Sequence, residues 1–315
     1  MIVNCILFFI ISSATVFLFF ISSLSAVSEN IPLFLLFIIM NIGLIYSVAE
    51  EFMSMRKCEK FRIYYKDIFF SIAGGLFTYI LNIYLLQGPV ISASLTGIIG
   101  SSFFPEYSVP MYAGAVAGMI SPAVNHNPVY MLMVLILTGT MYAFLKNTYS
   151  GVGGKLGASS FSAWFIFYYI FNINLLNNPY EEENFLILLI IPLIGLFSTF
   201  ILQHYFKREI VASSSVISLL GALIFPVIFK NSSQNFSAVL MAATFAGMSS
   251  KDRIKNIYEI FIIAVFISVS FIYSYTHFGG SGGKLGALAF GSVLSEIGLK
   301  KLIKNIIFSK KRNAV

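Results

Sequence analysis

The sequence predicts an all-α polytopic membrane protein of about 12 transmembrane segments. It is read as two inverted five-helix repeats after a two-helix N-terminal leader. Three observations predict this: composition, an internal duplication, and the odd number of segments in each copy. Hydrophobic residues make up 58% of the 315 and charged residues 10%, where a soluble domain carries about 25% charged. Gly-Gly-Lys-Leu-Gly-Ala stands at Gly153–Ala158 and again at Gly282–Ala287, 129 positions on. Ala117-Gly118-Met119 returns at the same offset as Ala246-Gly247-Met248. Ser92, Ser94, Gly100, Phe104 and Pro105 return as Ser213, Ser215, Gly221, Phe225 and Pro226, at an offset of 121. The second copy therefore carries an eight-residue insertion after Pro226. Five crossings per copy send the second into the bilayer from the opposite side, which inverts it.

The elements follow in order. The leader and its basic loop occupy residues 1–66, with apolar stretches at Ile2–Val27 and Ile31–Ala49. Pro32 suits the first turn of the second stretch, where a missing N–H costs nothing. The first stretch lacks a basic n-region and a small-residue cleavage site, so it reads as a retained helix. The first repeat, residues 67–171, holds Ile68–Gln87, Val90–Phe104, Met111–Ser121, Val129–Tyr149 and Gly154–Phe171. An acidic loop containing Glu181-Glu182-Glu183 follows. The second repeat, residues 184–298, holds Phe185–Phe206, Val211–Phe229, Phe236–Ser250, Ile257–Thr276 and Gly283–Gly298. A basic tail, residues 299–315, closes the chain.

Charge sets the orientation. With both termini in the cytoplasm of a cell (inner) membrane, 17 of the 20 Lys and Arg lie in cytoplasmic loops and only Lys230 lies outside, with Lys155 and Lys284 set aside. Short loops of multi-pass proteins show this bias. It accounts for the net charge of +7 without a nucleic-acid partner. The partners expected are the lipid bilayer and a small solute, and a homo-oligomer stays open. Cys5 and Cys58 have neither metal nor disulfide spacing.

The repeated Gly-Gly-Lys is the leading site candidate. Gly153, Gly154, Gly282 and Gly283 let the backbone leave helical geometry and admit a close neighbour. A helix then begins, with free N–H groups and a positive dipole end suited to an anion or a carbonyl oxygen. Lys155 and Lys284 are the wrong sign for that position, which predicts a compensating benefit. If both hinges dip inward, their amides and ammonium groups face one central pathway. The competing reading has the glycines as packing residues and the lysines snorkelling to headgroups. Ser94 and Ser215, within hydroxyl-rich helix starts, are candidates for neutral hydrogen bonds to a polar solute, against ordinary capping or back-bonding roles. Ala113–Gly118 and Ala242–Gly247 carry small residues four apart, the pattern of close helix packing. Pro105 and Pro226 are expected to end or kink their helices.

Gly280-Ser281-Gly282-Gly283, leading into a small-residue helix, resembles the Gly-rich helix starts of the chloride-channel and exchanger family, though without that family's Pro-containing signatures. The five-plus-five plan resembles that of urea-type channels. Both likenesses imply inverted repeats around a solute path. No nucleotide-binding, nucleophile or zinc motif occurs, buried carboxylates are scarce, and the three His lack metal-ligand spacing. No enzyme, metal site or cofactor is expected. The features predict a transporter or channel that moves a small polar or anionic solute through a central site between the repeats. The alternative is a non-transporting scaffold or a subunit of a larger membrane complex.

Overall fold

A computed structural model describes residues 2–27, 30–55, 64–176 and 184–312. The basic loop with Cys58 and the acidic triplet Glu181-Glu182-Glu183 lie outside the described residues. Among those described there are twelve α-helices and no strand: α1 (Ile2–Val27), α2 (Ile31–Met55), α3 (Tyr65–Tyr79), α4 (Pro89–Phe103), α5 (Ser108–Ala117), α6 (Pro128–Leu145), α7 (Lys155–Phe171), α8 (Phe185–His204), α9 (Ile210–Phe229), α10 (Ser233–Gly247), α11 (Ile257–Ser274) and α12 (Lys284–Arg312). Seven candidate membrane spans, one of them running across α9 and α10, are long and apolar enough to cross a membrane. The protein is an α-helical polytopic membrane protein.

Local chemistry sets the helix starts. Asn127 caps α6 by accepting from the Val129 N–H (2.9 Å), and Asn184 caps α8 by accepting from the Leu186 N–H (3.0 Å). Pro89 and Pro128 open α4 and α6, where proline is preorganised. α3 ends in a π-helical turn, Ile80–Tyr84. Pro105 follows the end of α4, whereas Pro226 lies inside α9, which runs on to Phe229. The residues expected as a tail are helical through Arg312. Lys300 pairs with Glu259 (3.0 Å) and Glu296 (3.6 Å), and Lys301 pairs with Glu50, which ties this extension to α2 and α11.

The molecule turns apolar residues outward. Val227 is 80% exposed and Ile31 70%, while Ser92, Ser94, Ser160, Ser214, Ser215 and Thr244 are all fully buried. That distribution suits a lipid surround, where no water is available to satisfy polar groups. Inside, α7 and α12 cross near their N-termini. A Cβ on Gly157 would lie 2.5 Å from Gly286 Cα, and one on Gly286 would lie 2.5 Å from Gly157 Cα. Gly154 meets Ala289 and Phe290, whereas Gly283 meets Ser160 and Phe161. Partner numbers fall on one helix as they rise on the other, so α7 and α12 run antiparallel through the crossing. α4 and α9 form a second pair, with Gly97 against Ser215. The leader packs beside the α7–α12 pair, with Gly43 against Ser295 and Phe19 against Gly291.

Candidate functional site

The hinge segments before α7 and α12 have matching backbones. Gly151 and Gly280 both hold φ +73°, and Tyr149 and Phe278 both hold φ +53°. The positive φ is where glycine alone is unstrained. Each hinge is tied to the other half of the chain: the Ser250 N–H donates to Gly151 O (2.9 Å) and the Ser121 N–H to Gly280 O (2.8 Å). Gly153 lies against the α10 C-terminus, where a Cβ would come 2.5 Å from Ala246 O, and Gly282 lies in the equivalent place against Ala117 O at the end of α5. Both are packing contacts between backbones.

The lysines do not meet. Lys155 Nζ turns back along the chain and donates to Lys146 O (2.9 Å), Thr148 O (3.0 Å) and Leu145 O (3.4 Å). Lys284 Nζ donates to Ser274 O (2.5 Å). Each ammonium therefore caps the C-terminus of the helix before it, α6 or α11. A Cα–Cβ bond points toward a helix's N-terminus, so a first-turn side chain leans away from its own helix. Carbonyls at a preceding helix end favour a cation, which removes the conflict over sign. The expectation that both lysines flank one cavity is not met, because Gly157 and Gly286 fill the space between the hinges.

Each lysine instead borders its own cavity. Lys284 and Gly283 line one of about 460 Å³, with Gln87, Gly88, Pro89, Val116, Met119, Ala238, Phe271 and Tyr275. Lys155, Gly153 and Gly154 line another of about 180 Å³, with Val109, Tyr142, Lys146, Ile210, Phe245 and Met248. At the offsets of the duplication the second lining repeats the first: Ile210 stands for Pro89, Phe245 for Val116, Met248 for Met119, Tyr142 for Phe271 and Lys146 for Tyr275. A third cavity, of about 560 Å³, is walled by Phe197, Phe200, Ile201, Tyr205, Phe206 and Ile260 beside α8 and α11. Its mostly apolar wall and outward position suit lipid chains, so volume alone does not select it.

Between the first two cavities lies the α4–α9 seam. Ser108 Oγ donates to Glu209 Oε1 (3.1 Å), which places the start of α9 beside the end of α4, so the two helices are antiparallel. Pro89 opens α4 at the larger cavity and Ile210 opens α9 at the smaller. Between one and about two and a half turns inside each start, the seam becomes a layer of hydroxyls. Thr78 and Thr96 share a hydrogen bond (2.7 Å), and Thr244 bonds both Ser214 (3.1 Å) and Ser218 (2.8 Å). Ser94 and Ser215 are fully buried, and their hydroxyls have no hydrogen-bond partner among the described residues. A buried unpaired hydroxyl costs about 1–3 kcal/mol, so two at equivalent positions call for an explanation. Sequence reading found these two serines. It missed Thr78, Thr244 and Glu209, although the pairing of Gly88 with Glu209 was available at the offset of 121.

Electrostatics divides the two ends. Lys146 pairs with the buried Asp67 (3.0 Å) and Arg253 with Glu51 (2.5 Å), both near the smaller cavity. Among the described residues no cluster of His, Cys, Asp and Glu could hold a metal ion. No protein family, no curated protein and no solved structure matches this chain.

Proposed function

We propose that the protein is a membrane transporter or channel for a small polar or anionic solute, with twelve crossings and with α3–α7 and α8–α12 as inverted repeats. Both termini are cytoplasmic in this reading, in a cell (inner) membrane. The observation that carries it is the pair of cavities lined by equivalent positions at opposite ends of the α4–α9 seam. Reciprocal hinge contacts and the antiparallel α7–α12 crossing support the inversion. The larger cavity opens outward and the smaller, beside Lys146, faces the basic cytoplasmic side. Solute passes from the mouth at Gly283 and Lys284, along Ser94 and Ser215, to the mouth at Gly153, Gly154 and Lys155. Gly282 serves this route only by packing.

The direct glycine contact between the hinges favours a second reading, a non-transporting scaffold or subunit, because it leaves no space between the lysines. Flux separates the two. Reconstituted into proteoliposomes, the chain is expected to move at least one solute from a panel of anions and neutral polar molecules. Ala222 also lines the larger cavity, and Ala222→Trp, which fills it, is expected to slow that flux about tenfold or more, since overpacking a site excludes its ligand. Flux no greater than in empty liposomes for the whole panel removes the transport reading.

A further inference from the structure

The start of α9 in the second half of the chain offers a comparison for the start of α4 at the larger cavity. At the start of α9, Glu209 places its own carboxylate on the helix end. Oε2 accepts from the Ala212 N–H (2.7 Å) and Oε1 accepts from the Ser108 hydroxyl (3.1 Å). The equivalent positions in the first half are Gly88 for Glu209, Ile91 for Ala212 and Ser237 for Ser108. All three line the cavity of about 460 Å³. The seat is therefore repeated there, and the carboxylate is not. Gly88 has no side chain, a Cβ on it would meet nothing within 4 Å, and the start of α4 has no side-chain cap.

Lys284 borders the same space. Among the described residues its one hydrogen bond goes to Ser274 O, whereas Lys155 has three acceptors. No carboxylate lies within ion-pair distance of Lys284 among the described residues. An ammonium with three donors thus retains two for a ligand. Ser237 now donates to Ser233 O (2.7 Å), and a hydroxyl rotates to suit a new acceptor. The rest of the wall is mixed, with apolar Val116 and Phe271 and polar Gln87.

We propose that this cavity binds the carboxylate group of a small organic acid, on the α4 N-terminus in the place that Glu209 fills on α9, with Lys284 as its counter-charge. This rests on the transport reading for its purpose and names the solute class. A cavity of this size suits a small molecule, and charge-assisted hydrogen bonds to a helix end and an ammonium favour a planar anion.

The test is binding to the full chain in nanodiscs, by calorimetry, with acetate, lactate and benzoate as probes and chloride, phosphate and urea as controls. Carboxylates are expected to bind at least tenfold tighter than every control. Lys284→Gln is expected to weaken them about tenfold or more, with Lys284→Arg within about threefold of wild type, because hydrogen bonds to charged groups are the strong ones. If the glutamine variant fails to fold, Ser237→Ala decides, with about threefold weakening expected. Equal binding of carboxylates and controls overturns the proposal, as does wild-type affinity in Lys284→Gln or, failing that, in Ser237→Ala. Flux without carboxylate preference would leave transport standing and sink this inference. Carboxylate binding without flux would do the reverse.

Discussion

Adding one methyl group at the α7–α12 crossing tests the reciprocity on which the reading of the two halves depends. In Gly157→Ala the new Cβ would start 2.5 Å from Gly286 Cα, where carbon atoms prefer about 3.5–4.0 Å. Backbone lies on both sides, so no flexible side chain can yield. The helices must part by about 1 Å, and overpacking of that kind costs about 2 kcal/mol. For a chain of this size that lowers the melting temperature by about 4 °C. Gly286→Ala meets the mirror-image contact and is expected to cost the same. In the double variant the second methyl enters a gap that the first has already opened. Its cost is then about 1 kcal/mol less than the sum of the single effects, as for residues in contact. Trp164, the chain's one tryptophan, supplies the signal: it is 2% exposed and its Nε1–H donates to Ala117 O (2.9 Å). Its emission shifts to the red when α7 leaves α5. Unfolding in detergent, followed at Trp164, gives all three values. Single variants as stable as wild type, or a double variant equal to the plain sum, would refute the crossing.

Two further outcomes follow from the same geometry. Lys155→Met, which leaves three helix-end carbonyls without their donor, is expected to destabilise the fold by about 2 kcal/mol, and Lys284→Met, with one such bond, by about half as much; equal losses in thermal unfolding would contradict the capping role. Ser94→Ala and Ser215→Ala remove hydroxyls that make no hydrogen bond in the fold, so stability is expected to hold or rise by about 1 kcal/mol while solute flux falls. A loss of stability with flux intact would take both serines out of the path.

Much of the fold was legible because membrane helices carry their own signal. Twelve apolar stretches, punctuated by Gly, Pro and Asn, coincide with α1–α12 to within a few residues at most ends. The main misses, at α2 and α12, have a common cause. Residues past Ala49 and past Gly298 are polar enough to read as loops, yet Glu50, Lys300 and Lys301 extend the helices by pairing between them and with α11. Glu259 and Glu50 are distant in sequence from the lysines they pair with. The geometry of the candidate site was less legible than the helices. Repetition marked Lys155 and Lys284 as candidates, but the sequence reading did not foresee that each leans backward onto the helix before it. What it meets there depends on where α6 and α11 end, which no local pattern supplies. Glycine spacing likewise gave small faces, but not that Gly157 would press on Gly286 rather than leave room. Ser94 and Ser215 stood out only as members of a hydroxyl run, and the absence of any partner emerges once α4 lies on α9.

The eight-residue insertion in the second half supplies what a plain duplication lacks. Two identical halves placed head to tail would make a molecule with no top and no bottom. The extra residues follow Pro226, where they prolong α9 and form the approach to α10, and Ser233, Gln234 and Asn235 stand on the wall of the larger cavity. They act as a parapet on one rim alone. The insertion thus gives one rim a stretch that has no counterpart in the first half.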